Sequence, residues 1–201
     1  MKPFSQKLRR ALRSIFALTI MCVLGLTLPA RAETIIVESK LPDGADNPAW
    51  KTVSGKWGRS KNKSKQSEVT LNATNVASCV TASPAPSFTI SPELKAGATY
   101  TLDVTFGTSK TQPASSDLVV SVKAEGVSES SMPETTTAFQ DANANTWTTV
   151  GKFKADTGKP SITFTYVSGA LGTNPPARWY ADAVRFVPAS GGAQPKTKPA
   201  E

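Results

Sequence analysis

Arg178-Trp-Tyr-Ala-Asp-Ala-Val-Arg-Phe-Val-Pro188 (RWYADAVRFVP) is the stretch whose reading decides the fold. Read as one strand, it places Tyr180, Asp182, Val184 and Phe186 on one face and Ala183 and Arg185 on the other. β-Branched and aromatic residues suit a pleated surface, and Pro188 closes the run because proline donates no ladder hydrogen bond. Asp182 on the apolar face is unusual, since a carboxylate there needs hydrogen bonds, a counter-charge or a metal ion. The segment reads as the closing strand of a β-domain, and strands upstream must pair with it.

Those strands are visible as alternation. Thr99 to Gly107 (TYTLDVTFG) puts Tyr100, Leu102, Val104 and Phe106 inward and Thr101, Asp103 and Thr105 outward. Thr34–Glu38, Glu68–Ala73, Ala77–Thr81 and Leu118–Glu125 also read as strands, the last with Val120 and Val122 inward. Thr146–Lys154 and Ser161–Val167 supply Val150, Phe153, Ile162, Phe164 and Tyr166 as core candidates. The Asp156-Thr-Gly turn between them predicts a hairpin. Ser87–Ser91 lies between prolines and reads as an edge or corner, and Ser128–Thr137 reads as loop. No segment carries a helical period, so the expectation is an all-β, antiparallel, jelly-roll-like sandwich.

Residues 1–32 stand apart from this pattern. Lys2, Lys7, Arg9, Arg10 and Arg13 precede an apolar run from Ile15 to Leu28, and Ala30-Arg31-Ala32 supplies a small-x-small site. This predicts a secretory signal peptide cleaved after Ala32, meeting the membrane only in transit, and a periplasmic or extracellular destination. The run is short for a bilayer span of about 20 residues. The sandwich is expected over 33–188, and 189–201, which lacks large apolar residues, is expected to be disordered. The whole chain has 23 basic and 15 acidic residues, net +8; removing the six basic residues of the leader leaves 17 against 15, or +2. The high pI is thus mostly a property of the leader and gives no reason to expect nucleic acid.

The chain has no histidine. This removes the Ser-His-Asp and Cys-His arrangements, His-ligated zinc and the commonest general base. Cys79 is the only cysteine after the leader and is expected to be buried in a strand, with an intermolecular bridge the minor possibility. No pair of carboxylates is marked for glycoside hydrolysis. A non-enzyme is expected, with no catalytic residue and no cofactor.

The sharpest local feature is a basic ribbon. Trp57, Arg59, Lys61, Lys63 and Lys65 occupy alternate positions, so an extended chain sets one aromatic and four cations on one face. The cations suit acidic sugars and an indole suits stacking on a sugar ring; the plainer reading is a solvated loop, or lysines guarding a sheet edge. Trp57 and Trp179 are the exposed tryptophan candidates, and Trp147 reads as packing. Asp182 reads as a hydrogen-bonded structural acid, with a calcium site shared with Glu38 as the alternative.

In order along the chain, the N-terminal strand, SPELKAGATYTLDVTFG, WTTVGKF around Trp147 and RWYADAVRFV are similar to the golvesin / xanthan-lyase carbohydrate-binding-like domain. The resemblance covers nearly all of the chain after the leader and is most specific at ADAVRFV. It implies a non-catalytic β-sandwich that binds extracellular or cell-wall polysaccharide. The lysine-rich stretch and the loop Leu171–Pro176 depart from that pattern. The rival expectation is a structural or adhesive envelope protein that works through protein–protein contacts without a sugar site.

Overall fold

Alternating apolar residues become two facing sheets, as the sequence predicts. The computed structural model describes residues 33–41, 45–66, 76–174 and 176–189. The expected leader, the strand expected at Glu68–Ala73, the turn after Leu41 and the tail from 190 onward lie outside the described residues. Sheet one runs β1 (Ile35–Glu38), β15 (Ala183–Pro188), β6 (Thr99–Thr105), β10 (Thr148–Ala155) and β8 (Val127–Ser128). Sheet two runs β2 (Trp50–Ser54), β5 (Ser87–Ile90), β11 (Ser161–Ser168), β7 (Val119–Glu125) and β9 (Thr135–Thr136). A smaller sheet joins β14 (Trp179–Ala181), β4 (Val76–Cys79) and β3 (Trp57–Ser60), and β12 (Gly172–Thr173) pairs with β13 (Pro176–Ala177). All ladder pairings between these strands are antiparallel.

The closing segment is two strands, not one. Trp179–Ala181 pairs with β4, while Ala183–Pro188 inserts between β1 and β6 with Phe186 opposite Ile35 and Leu102. Asp182 is the corner between them. The predicted core is present: Leu102, Val104, Phe106, Phe153, Ile162, Phe164, Val184 and Phe186 are all fully buried in one cluster. Burial of this kind makes a Phe→Ala change cost about 3–5 kcal/mol. Val150 and Phe153 are three residues apart yet both buried, which strict alternation forbids; the register shift between Thr149 and Gly151 supplies the extra residue that allows it.

Three further expectations are corrected. The residues after Ala155 do not close a hairpin, because β10 belongs to sheet one and β11 to sheet two; the turn is a corner between sheets. β5 is an interior strand between β2 and β11 rather than an edge, since its flanking prolines lie outside the paired residues. The stretch read as loop at Ser128–Thr137 contributes the short strands β8 and β9. The only helix among the described residues is one 3₁₀ turn at Asp141–Asn143, and no helix there is long and apolar enough to cross a membrane.

Candidate functional site

The basic ribbon keeps its alternation past the end of β3. Arg59, Lys61, Lys63 and Lys65 are exposed, and the residues between them turn inward: Ser60 and Ser64 are buried, Asn62 and Gln66 half-buried. Each inward residue has a polar partner. Asn62 Nδ2 donates to Tyr180 Oη at 2.9 Å and to Ser109 Oγ at 3.2 Å. Ser64 Oγ pairs with Thr105 Oγ1 at 2.8 Å, and Ser60 Oγ accepts from Asn62 N at 3.2 Å. At the far end the Lys65 amide donates to Asn145 Oδ1 at 3.1 Å, and Gln66 Nε2 donates to the Asn145 carbonyl.

Two backbone features make this docking possible. Asn145 adopts φ +61°, a left-handed conformation that asparagine tolerates better than most side chains. Gly107 lets the ribbon approach closely, for a Cβ there would stand 2.1 Å from the Lys63 carbonyl oxygen. The serines and asparagine between the cations are the ribbon's anchors. β3 is nevertheless an edge strand, so the edge-guarding role of Arg59 fits its position.

The ribbon covers the polar side of sheet one, which explains why Thr105, predicted to face outward, is fully buried. Beneath it lie two fully buried acids, Glu38 and Asp182. The predicted hydrogen bonding of Asp182 is present in part. Its Oδ2 accepts the Ser64 amide at 2.5 Å and its carbonyl accepts the Ser39 amide at 2.7 Å, while Oδ1 is buried with no hydrogen-bond partner among the described residues. Desolvation pushes the Asp182 carboxyl up to about 7; the Ser64 hydrogen bond opposes this, Glu38 adds to it and Lys63 opposes it. Calcium takes six to eight oxygens. Among the described residues no group of three or more His, Cys, Asp or Glu side chains is placed to hold a metal ion.

The aromatic half of the predicted site does not join the cations. Trp179 is fully buried, not exposed: it packs 5.1 Å from Trp57, 5.4 Å from Phe88 and 5.6 Å from Phe139. Its neighbour Tyr180 is equally buried, and its hydroxyl donates to the Gln112 carbonyl at 2.9 Å. Trp57 is half-buried in the same aromatic cluster, and its indole N–H donates to the Ser54 carbonyl at 2.8 Å. Neither indole offers an open platform to a sugar ring. Trp147 packs as expected, beneath the Arg185 guanidinium at 4.4 Å. Cys79 is buried between Trp57 and Trp179 in the ladder register, as a lone strand cysteine should be.

What remains is a cationic strip. Among the described residues Arg59, Lys61 and Lys65 form no ion pair, whereas Lys40, Lys123, Lys154 and Lys159 are paired with Asp46, Glu125, Glu129 and Glu93. Lys110, which sequence reading passed over, is exposed and follows the serine tied to Asn62, so it flanks the strip. Only the fold brings it there, from a loop more than forty residues away.

No protein-family model matches the chain, and no curated protein matches it. Among solved structures, the Paenibacillus xanthan lyase matches with a TM-score of 0.54 and 18% identity, covering 78% of this chain and 13% of that one. At that identity the likeness concerns fold: the chain shares a β-rich architecture with a small part of a much longer protein.

Proposed function

We infer that the chain is a secreted, non-catalytic β-sandwich module of the golvesin / xanthan-lyase carbohydrate-binding-like kind, and that it binds acidic extracellular or cell-wall polysaccharide through Arg59, Lys61, Lys63 and Lys65. The observation that carries the reading is the pinned ribbon, whose alternate side chains are tied to the sandwich while its cations face solvent. A strip held in place loses little conformational entropy when a ligand settles on it, so its charges act together. The structural neighbour is named for a polysaccharide, xanthan, and it carries this fold as part of a larger chain. The absence of histidine agrees with a binding role.

Retention on immobilised polyuronate, compared with a neutral polysaccharide of similar linkage, tests this. The chain should be retained by the acidic matrix and released by salt, because exposed charges are screened beyond about 8 Å at physiological ionic strength. The Lys61→Gln, Lys63→Gln double variant should lose most of that retention. Equal retention of variant and parent at low salt returns the ribbon to an edge-guarding role. Failure to bind any polysaccharide, together with self-association, favours the structural or adhesive alternative.

A further inference from the structure

The spacing of the strip says what shape of ligand it fits. An extended chain advances about 3.3 Å per residue, so alternate side chains stand roughly 6–7 Å apart and the cations from Arg59 to Lys65 span somewhat less than 20 Å. A tight turn in which the Lys63 amide donates to the Lys61 carbonyl at 3.0 Å shortens the middle slightly. Four cations at alternate positions, with no acid between them in the sequence and with Glu38 and Asp182 buried beneath, make a line of charge rather than a pocket. A single acidic sugar engages one or two of these side chains. A polymer bearing a carboxylate on every sugar engages them all.

We propose that the strip recognises a linear, densely charged polyuronate laid along it, over a length of about one acidic sugar per cation, and not a terminal or isolated acidic sugar. This rests on the acidic-polysaccharide reading above and adds to it the ligand's charge density and minimum length. The Asn145 and Tyr180 contacts are the positioning elements, because they pin the ribbon at Asn62 and again at Lys65 and Gln66. Lys110 beside the strip widens it for a polymer that lies slightly off its axis.

The test uses the full chain and fluorescently end-labelled oligogalacturonates from the disaccharide to the octasaccharide, with binding read by anisotropy at several salt concentrations. Affinity should rise several-fold with each added sugar up to about the tetrasaccharide and then level off. Log affinity against log salt should fall with a slope of about −3, near −0.7 for each of four cations on a flexible polyanion. Lys61→Gln and Lys65→Gln should each reduce that slope by about 0.7 and should flatten the length dependence. Methyl-esterified oligomers of the same lengths should not bind.

Three outcomes overturn the proposal. Affinity that saturates at the disaccharide makes the ligand a short acidic sugar, and leaves the broader polysaccharide reading standing. Equal binding of an oligothymidylate with the same number of charges makes the strip a general polyanion surface. Binding of the methyl-esterified oligomers, unaffected by the lysine variants, removes the strip from recognition and takes the broader reading of this site with it.

Discussion

Asp103, in β6 of sheet one, and Asp182, at the corner where the chain enters that sheet, are two buried carboxylates treated in opposite ways. Asp103, in β6, receives the Arg185 guanidinium through Nε at 3.1 Å and Nη2 at 2.7 Å, and the Thr149 hydroxyl at 2.8 Å. Arg185 in turn lies over the Trp147 ring, which fixes the guanidinium where the carboxylate needs it. Asp182, at the corner leading into β15, has one amide on one oxygen, no hydrogen-bond partner on the other among the described residues, and a second acid close by. The difference is the counter-charge. An arginine donating two N–H groups to one oxygen, with a hydroxyl on the other, makes a buried carboxylate tolerable, whereas a single neutral donor does not.

Removing the counter-charge should have the largest effect. Arg185→Met keeps an aliphatic stem against Trp147 but leaves Asp103 buried without a cation, which costs about 3–5 kcal/mol when one partner of a buried pair is lost. Urea unfolding at neutral pH measures it, and Asp103→Asn in the same background should recover most of the loss. A cost under about 1 kcal/mol would place the pair among exposed bridges that contribute little.

Asp182 supplies the next effect, through pH. Its carboxyl holds a proton up to about 7 in the folded chain against an ordinary value of 3.8. The folded state therefore binds that proton more tightly than the unfolded state, and stability from this group is fully present below 3.8 and lost as pH rises through about 7. The loss is on the order of 4 kcal/mol at most, from about 1.4 kcal/mol per pH unit. Asp182→Asn should flatten this slope and be more stable than the parent at pH values above about 8. Parallel stability curves for the two proteins between pH 4 and 8 would show that Asp182 is not the acid responsible.

The ribbon above Asp182 comes third. Asn145→Ala removes the acceptor of the Lys65 amide and places alanine in a left-handed conformation, together worth about 1–2 kcal/mol. Hydrogen exchange at the Lys65 amide should accelerate while exchange in β6 and β15 slows or accelerates only with global stability. The smallest effect belongs to Lys63→Gln. Being exposed, it should change stability by no more than about 0.5 kcal/mol. Yet it removes the one cation that favours the ionised form of Asp182, so the titration of Asp182, followed by carboxyl NMR, should move further upward.

Much of the fold was legible in local pattern. Alternation through Tyr100, Leu102, Val104 and Phe106 assigned β6 its inward face, because side chains in a strand point to opposite sides whatever lies beyond. The same rule correctly set Arg59, Lys61, Lys63 and Lys65 on one exposed side. It also made Phe186 a core residue and Asp182 a buried acid needing hydrogen bonds. These are properties of neighbouring residues, and a single sequence carries them in full.

Other features were decided only when distant segments met. Trp179 and Trp57 have the residue type and position of surface aromatics, yet β14, β4 and β3 fold into a separate sheet that turns both rings toward Phe88. Whether β10 and β11 pair with each other or part company between two sheets depends on the competing partners β6, β5 and β7, which a turn motif cannot reveal. The sequence by itself determined which side chains alternate, that a strip of cations exists and that no histidine chemistry is available. Tertiary structure alone decided what each side faces: Ser64 on Thr105, Asn62 on Tyr180, and beneath the ribbon an acid with one oxygen that has no hydrogen-bond partner among the described residues. The physical reason is that alternation is a short-range consequence of backbone geometry, whereas burial and counter-charge depend on contacts between residues as far apart as Ser64 and Asp182.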